Sequence, residues 1–446
     1  VKFFGNTAIE GNGGGLLFLG GSLIMNHVDF SRNIAVSCGG GLYFSGESNM
    51  DMNNVTFSGN GAVSSPDLPN ARGGGIYIDR NSYNDPLNMT NVTFYFNRAN
   101  GIDYARGGGI YVARGPDLAS IALTNVTLSG NQANAINAWG GGICLGLGGY
   151  SYMVLTNVTI SGNQANGAEV DGSAWGGGVF LVPPCDVAML NVTVADNTAK
   201  GGQTALGGGV FAIPYTQYIG YARTFFRNSI FWGNEPDQLQ TPPLQDNISA
   251  YWCIVEGGYG SNPNIFTEDP MLGTLGNYGG YTQTIPLLEG SSAIDKAIPE
   301  FAPATDQRGV PRPLGDGYDI GAFEYGGDIV LFHTVTYDAN GATIGTAPAN
   351  QTKIYNVTLT LATNSGGLAR TGYNFSGWNT AADGSGTDYA EGAPYTANAA
   401  VTLYAQWADA SPTAIPTLSE WGMILFFLLM TAAAVIFMRK RNKMAG

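Results

Sequence analysis

Eight residues recur along the first half of the chain, and no other feature restricts its fold as much. NNVTFSGN at Asn53–Asn60 returns as TNVTFYFN at Thr90–Asn97, TNVTLSGN at Thr124–Asn131 and TNVTISGN at Thr156–Asn163, with weaker copies NHVDFSRN, LNVTVADN and RNSIFWGN. The final asparagines, Asn6, Asn33, Asn60, Asn97, Asn131, Asn163, Asn197 and Asn234, lie 27, 27, 37, 34, 32, 34 and 37 residues apart. Periods of this size belong to stacked arrays. Glycine triplets begin at Gly13, Gly39, Gly73, Gly107, Gly140, Gly176 and Gly207. The 6 to 13 residues from each Asn to the next triplet vary most in proportion and read as a loop on one edge of the stack.

Each period holds two strand patterns. Val55 and Phe57 flank Thr56, as Val126 and Leu128 flank Thr127, and Val158 and Ile160 flank Thr159. Alternation of period two puts the apolar residues on one face and Thr on the other. A second strand follows each triplet: LYF at Leu42–Phe44, IYI at Ile76–Ile78, IYV at Ile110–Val112. The fold expected is all-β, a right-handed parallel β-helix whose coils stack about 4.8 Å apart. Stacking turns equivalent residues into ladders, so the motif must recur. Asn at the turn can bond the coils above and below, Gly fills the bend where no side chain fits, and no coil buries its apolar face alone. A β-propeller wants longer periods.

Composition narrows the function. Apolar residues make up 44% and charged residues 12%, too few charges for a disordered chain. Of 19 basic residues, four (Arg439, Lys440, Arg441 and Lys443) sit in the C-terminal tail, so the rest of the chain sets 15 against 33 acidic residues, or −18. Such a body repels nucleic acid, and no nucleic-acid partner is expected. Cys38, Cys144, Cys185 and Cys253 are scattered and the chain has two His, so isolated buried thiols are expected and neither metal nor cofactor. Val1 opens the sequence without Met, and FFGN at Phe3–Asn6 is already the end of a repeat, so a truncated start without its export signal is expected.

FSGN, FSRN, GGGIY and GGGLY resemble the repeats of polymorphic outer-membrane proteins, β-helical surface passengers, over residues 1–255, although no transmembrane β-barrel follows. Residues 256–326, ending in DIGAFEY, resemble a choice-of-anchor Q domain, which implies a structural cap closing the open end of the solenoid. Asp306, Arg308, Asp319 and Glu324 are expected there as a salt-bridged network, with a catalytic carboxylate pair as the rival reading. HTVTYDANGA at His333–Ala342 and the stretch ending at Trp407 are similar to an internalin B-type repeat over 329–408, implying a small β-grasp-like spacer or contact module. Its DGSGTD at Asp383–Asp388 lacks the spacing and distal Glu of a calcium loop and reads as a turn. A linker at 409–414 leads to 415–446, where Ile415, Pro416, Thr417, Leu418, Ser419, Glu420 and Trp421 precede an uncharged span at 422–438 and the basic tail. Motif, span and tail resemble an IPTL-CTERM sorting domain. The resemblance implies an exosortase-like sorting enzyme as partner, a transmembrane helix with its tail cytoplasmic before processing, and a body in the cell envelope or outside. A simple C-terminal anchor is the alternative.

Sites are thin. Asp79, Arg80, Arg114 and Asp117 are the nearest approach to a charged cluster, and Arg72 stacks on Arg106; a solvated edge with local ion pairs is the plain reading. Asp103, Glu169 and Asp171 lie in the variable loop. Four residues after the first Gly of each triplet stand Leu17, Tyr43, Tyr77, Tyr111, Cys144, Phe180 and Phe211. Alternation points them away from the core. Either they form an exposed aromatic ladder for glycan or partner, or the variable loops cover them. The sequons at Asn54, Asn91, Asn125, Asn157 and Asn191 fall inside the ladder strand and read as structural. Two functions follow: a non-enzymatic adhesin-like surface protein that binds glycan or a host or neighbour surface protein, or a polysaccharide lyase or hydrolase on a β-helix scaffold.

Overall fold

The structure, a computed structural model, describes residues 1–446 except 47–48, 81–85, 114–118, 147–150, 183–184, 214–223, 242–247, 261, 328–331, 355–356, 398, 411–417 and 444–446. The chain divides into a unit of residues 1–329 and a second unit of 330–446.

The first unit is built on a parallel β-helix. The coil of Asn131 shows the plan, with short strands at Ala119–Thr124, Thr127–Ser129, Gln132–Asn134, Asn137–Trp139 and Ile143–Leu145. Equivalent strands of successive coils pair in parallel. The first two strands of every coil share a 16-stranded sheet; the third, fourth and fifth build sheets of seven, five and eight strands. Val55, Phe57, Val126, Leu128, Val158 and Ile160 lie in one core with no more than 1% exposure, the register that the alternation predicts. Within that core Phe3, Phe30, Phe57 and Phe94 stack face to face, their centroids 4.6, 4.8 and 4.9 Å apart.

The asparagine ladder closes each turn. Asn131, fully buried, donates its backbone N–H and Nδ2 to Asn163 Oδ1 at 3.0 and 2.8 Å, and Nδ2 also reaches the Phe94 carbonyl at 3.0 Å. Asn33, Asn60, Asn97, Asn163 and Asn197 repeat these bonds. At the far end Gln238 replaces a further Asn: Asn234 donates N–H and Nδ2 to Gln238 Oε1 at 3.1 and 2.6 Å. The triplets are glycine for steric reasons. Gly107 has φ +64°, and a Cβ on Gly108 would lie 2.4 Å from the Gly141 carbonyl oxygen.

The variable interval is more than a loop. It begins and ends with strands whose alanines (Ala99 and Ala105, Ala133 and Ala138, Ala165 and Ala174) pack into a thin second core. Alanine is small enough to bring the third and fourth strands of a coil into contact.

After the last coil, Tyr259 and Ile265 pack against the main core and close its end. The remainder of the expected cap does something else. It runs back along the flank, so Gln307 meets Thr127 and Thr282 meets the Asn125 carbonyl.

The second unit holds a five-stranded sheet with Phe332–Asp338 parallel to Val401–Asp409 at its centre, around a core of Tyr337, Trp378, Tyr395 and Leu403. Its helix, Leu418–Lys443, contains a span at Glu420–Arg441 long and apolar enough to cross a membrane.

Candidate functional site

The aromatic ladder forms in register, since Tyr43, Tyr77, Tyr111, Cys144, Phe180 and Phe211 pair with one another in turn. It is not the exposed stripe that alternation allowed. Phe180 is 0%, Phe211 3%, Tyr111 7% and Tyr77 8% exposed. The fourth strand of the coil folds over them, laying Trp139, Trp175 and Leu206 on the rings. Trp139 stacks on Trp175 at 5.2 Å, and the Arg106 guanidinium lies 4.5 Å from the Trp139 ring. Tyr43 remains half-buried and donates to Asp79 Oδ2 at 3.1 Å. Burial, helped by Asp79, pushes its hydroxyl up to about 12; burial, helped by Cys144, does the same for Tyr111. The rings of this ladder are a satellite core, with Tyr43 partly buried against it.

Two polar ladders carry more. The first lies at the corner between the first two strands of each coil, where Asn54, Asn91, Asn125, Asn157, Asn191 and Asn228 all take left-handed backbone with φ between 50° and 57°. Asn tolerates that conformation where most residues do not, which accounts for the sequons. Their Nδ2 groups form a loose chain along the stack, Asn91 to Asn53 at 3.2 Å and Asn125 to Asn91 at 3.3 Å. The second ladder is the outward face of the next strand: Asp29, Thr56, Thr93, Thr127, Thr159 and Thr193 stand in register.

The flank segment reads the downstream half of both ladders. Asn157 Nδ2 donates to the Thr305 carbonyl at 2.8 Å, Asn191 Nδ2 to the Asp319 and Gly321 carbonyls at 3.0 and 3.2 Å, and Asn228 Nδ2 to the Ile298 carbonyl at 3.0 Å. Thr159 donates to Gln307 Oε1 at 2.6 Å, the Ala322 N–H reaches Thr193 Oγ1 at 3.0 Å, and Thr127 bonds the Gln283 carbonyl. Thr127, Thr159 and Thr193 are consequently at most 1% exposed. The upstream half, with Asp29, Asn54, Thr56, Asn91 and Thr93, stays half-exposed.

The carboxylates of the cap serve this docking. Arg308 pairs with Asp306 at 2.8 Å and Arg312 with Glu324 at 2.6 Å, with all four side chains at most 2% exposed. Arg312 also donates to the Asp319 and Gly321 carbonyls, the same two that Asn191 reads. Sequence reasoning missed Arg312 and Gln307, which belong to no repeat. Burial pushes Asp319 up to about 7 against the bonds it accepts from the Tyr325 and Asp295 N–H groups, and burial also raises Glu324.

The remaining candidates do not converge. Arg72 stacks on Arg106 as expected, while Arg114, Asp117 and the Arg80 side chain lie outside the described residues. Asp103, Glu169 and Asp171 are exposed at the tips of the second core. A groove of about 470 Å³ at the downstream end is lined by Glu235, Asp237 and Glu256, but Glu256 already accepts from Gly233 N–H and Gln238 Nε2, both at 2.8 Å. A second, of about 660 Å³, runs between Ile248–Tyr251 and residues 259–260 and 262–264. Asn262 Nδ2 caps the Ala250 carbonyl there at 2.8 Å, protecting the edge strand. Cys38, Cys144, Cys185 and Cys253 are free and buried. Among the described residues no group of three His, Cys, Asp or Glu is placed to hold a metal. Asp383 accepts from both N–H and Oγ of Ser385, which makes DGSGTD a turn.

At the C-terminus Leu418–Trp421 opens the helix and Arg439, Lys440 and Arg441 close it. Ile415, Pro416 and Thr417, with the Ser419 and Lys443 side chains, lie outside the described residues.

Comparison with known families assigns three segments. Residues 1–144 match the right-handed β-helix region, 333–406 the Listeria-Bacteroides repeat domain, and 413–441 the IPTL-CTERM motif. Two relatives come from Evansella cellulosilytica. A protein described as a Gly-rich membrane protein is 39% identical over 83 residues, 18% of this chain and 10% of its own. One described as a membrane protein is 42% identical over 78 residues, 17% of this chain and 12% of its own. The chain thus spans about a tenth of the length of the curated relatives it matches. A right-handed β-helix, a Listeria-Bacteroides repeat and a C-terminal sorting motif on an apolar helix mark an exported surface protein of the cell envelope or extracellular space.

Proposed function

We propose that the chain is a non-enzymatic, adhesin-like surface protein whose β-helix binds glycan or protein. One observation supports this reading: the amide and hydroxyl ladders used to dock the cap continue, half-exposed, over the upstream coils. A regular face of half-exposed Asn and Thr recognises through hydrogen bonds along its length rather than through a reactive centre. An exosortase-like membrane transpeptidase is the partner for the C-terminal motif, with the basic tail on the cytoplasmic side before processing. Deleting residues 418–446 is the test of sorting: the protein is expected in the medium, and its retention in the envelope defeats the assignment. Attachment of cells displaying the full chain to glycan- or protein-coated surfaces tests binding. Release of reducing or unsaturated ends from a panel of polysaccharides, abolished by Glu256→Gln, would establish the lyase or hydrolase instead.

A further inference from the structure

We propose that the open stretch of the two ladders, from Asp29 and Asn54 to Asn91 and Thr93, is a docking face for an extended, uncharged or basic polypeptide segment. The inference rests on the surface-binding reading and adds the class of ligand.

The argument is continuity with an interface the molecule already makes. Downstream, two coils are read in the same way: a corner Asn donates Nδ2 to a carbonyl, and a Thr one strand further on bonds a neighbouring residue of the same segment. Thr305 and Gln307 do this at Asn157 and Thr159, and Gly321 and Ala322 at Asn191 and Thr193. At the Asn125 coil the contact changes form: the Thr282 hydroxyl donates to the Asn125 carbonyl and Thr127 donates to the Gln283 carbonyl, while Asn125 Nδ2 turns to Asn91 Oδ1. The next rungs are the same by register and backbone. Thr93 pairs with Thr127 and Thr56 with Thr93, and Asn54 and Asn91 have φ 55° and 57° against 53° at Asn157. What these rungs bind downstream is polypeptide, through its backbone at Asn157, Asn191, Thr193 and Thr127 and through the Gln307 side-chain amide at Thr159, so the same rungs upstream favour a polypeptide over sugar.

Asp29, with Asp51 on the strand paired to its own, disfavours an acidic segment and favours a basic one.

The test uses the full chain in detergent and a peptide of its own residues 279–286, GGYTQTIP, which contains the Thr282 and Gln283 contact pair. Saturable binding is expected, weakened at least about tenfold in Asn91→Gly/Thr93→Val and unchanged in Asn134→Ala on a different sheet. Glycine keeps the left-handed corner and Val the strand, and melting of the double variant with the parent verifies the fold. Absence of saturation at millimolar peptide, equal binding by a well-folded double variant, or displacement of the peptide by a neutral oligosaccharide from the same rungs overturns the proposal. Attachment of displaying cells is scored alongside. Attachment without peptide binding refutes the polypeptide assignment and leaves the adhesin reading standing.

Discussion

Replacing Asn131 with Ala removes one rung of the buried ladder without touching the apolar core. Its Oδ1 accepts from the Asn97 backbone N–H and from Asn97 Nδ2, both at 3.0 Å, and its own Nδ2 satisfies the Phe94 carbonyl at 3.0 Å. The substitution strips the buried Asn97 N–H and Phe94 carbonyl of this partner and leaves Asn97 Nδ2 only its bond to the Phe57 carbonyl at 2.8 Å, at about 1–3 kcal/mol for each unmet bond before relaxation. With neighbours sharing part of the loss, a cost of about 4 kcal/mol is expected. At about 2.1 cal/mol/K per residue, over the 329 residues of the first unit, that corresponds to a melting shift of about 6 °C. Stacked coils open locally as well as globally, so hydrogen exchange is the sharper assay. The Asn97 amide should lose protection, while amides of the Asn234 coil keep theirs. Asn134→Ala is the comparison, because its amide bond to Asn100 Oδ1 at 2.8 Å is solvent-accessible, and a change within about 1 kcal/mol is expected. Equal melting of Asn131→Ala and parent, with Asn97 still protected, would refute the ladder as a source of stability.

Gly108→Ala places its Cβ 2.4 Å from the Gly141 carbonyl and 2.5 Å from Gln132 backbone atoms, so little folded protein should accumulate, as read by soluble yield. Arg312→Met strands the buried Glu324 carboxylate; a loss of about 3–5 kcal/mol is expected, with the flank segment proteolysed before the coils. Asp319 is held at about 7 by burial, above its ordinary 3.8. A raised folded value means stability present below pH 3.8 and lost as pH climbs through 7. Melting of the first unit should therefore fall between pH 5 and pH 8, and a rise across that window contradicts it.

The solenoid was legible because stacking demands identity. Asn131 must resemble Asn97 and Asn163 to bond them, and Gly108 must stay glycine to admit a carbonyl. The covering of Tyr77 and Tyr111 was also written in the chain, less loudly. Ala62, Ala99, Ala133, Ala165 and Ala199 each stand two residues after a ladder Asn, and Ala71, Ala105, Ala138 and Ala174 two residues before a triplet. Constant small residues inside a variable interval mean two backbones in contact. The docked flank was not legible at all. Gln307 meets Thr127 across 180 residues, and no period links them. The Thr positions looked solvent-facing because alternation distinguishes core from outside, not water from a second layer.

Among the described residues, the hydrogen bonds of the flank segment to the coils begin at Asn125, and Gln238 terminates the asparagine ladder whatever number of rungs precede it. Duplicating or deleting a whole coil upstream would leave every one of those contacts in place. Stack length and flank docking are thereby separate traits. Recombination between near-identical repeats can lengthen or shorten the stack of coils in steps of about 4.8 Å, while the docked flank keeps its contacts.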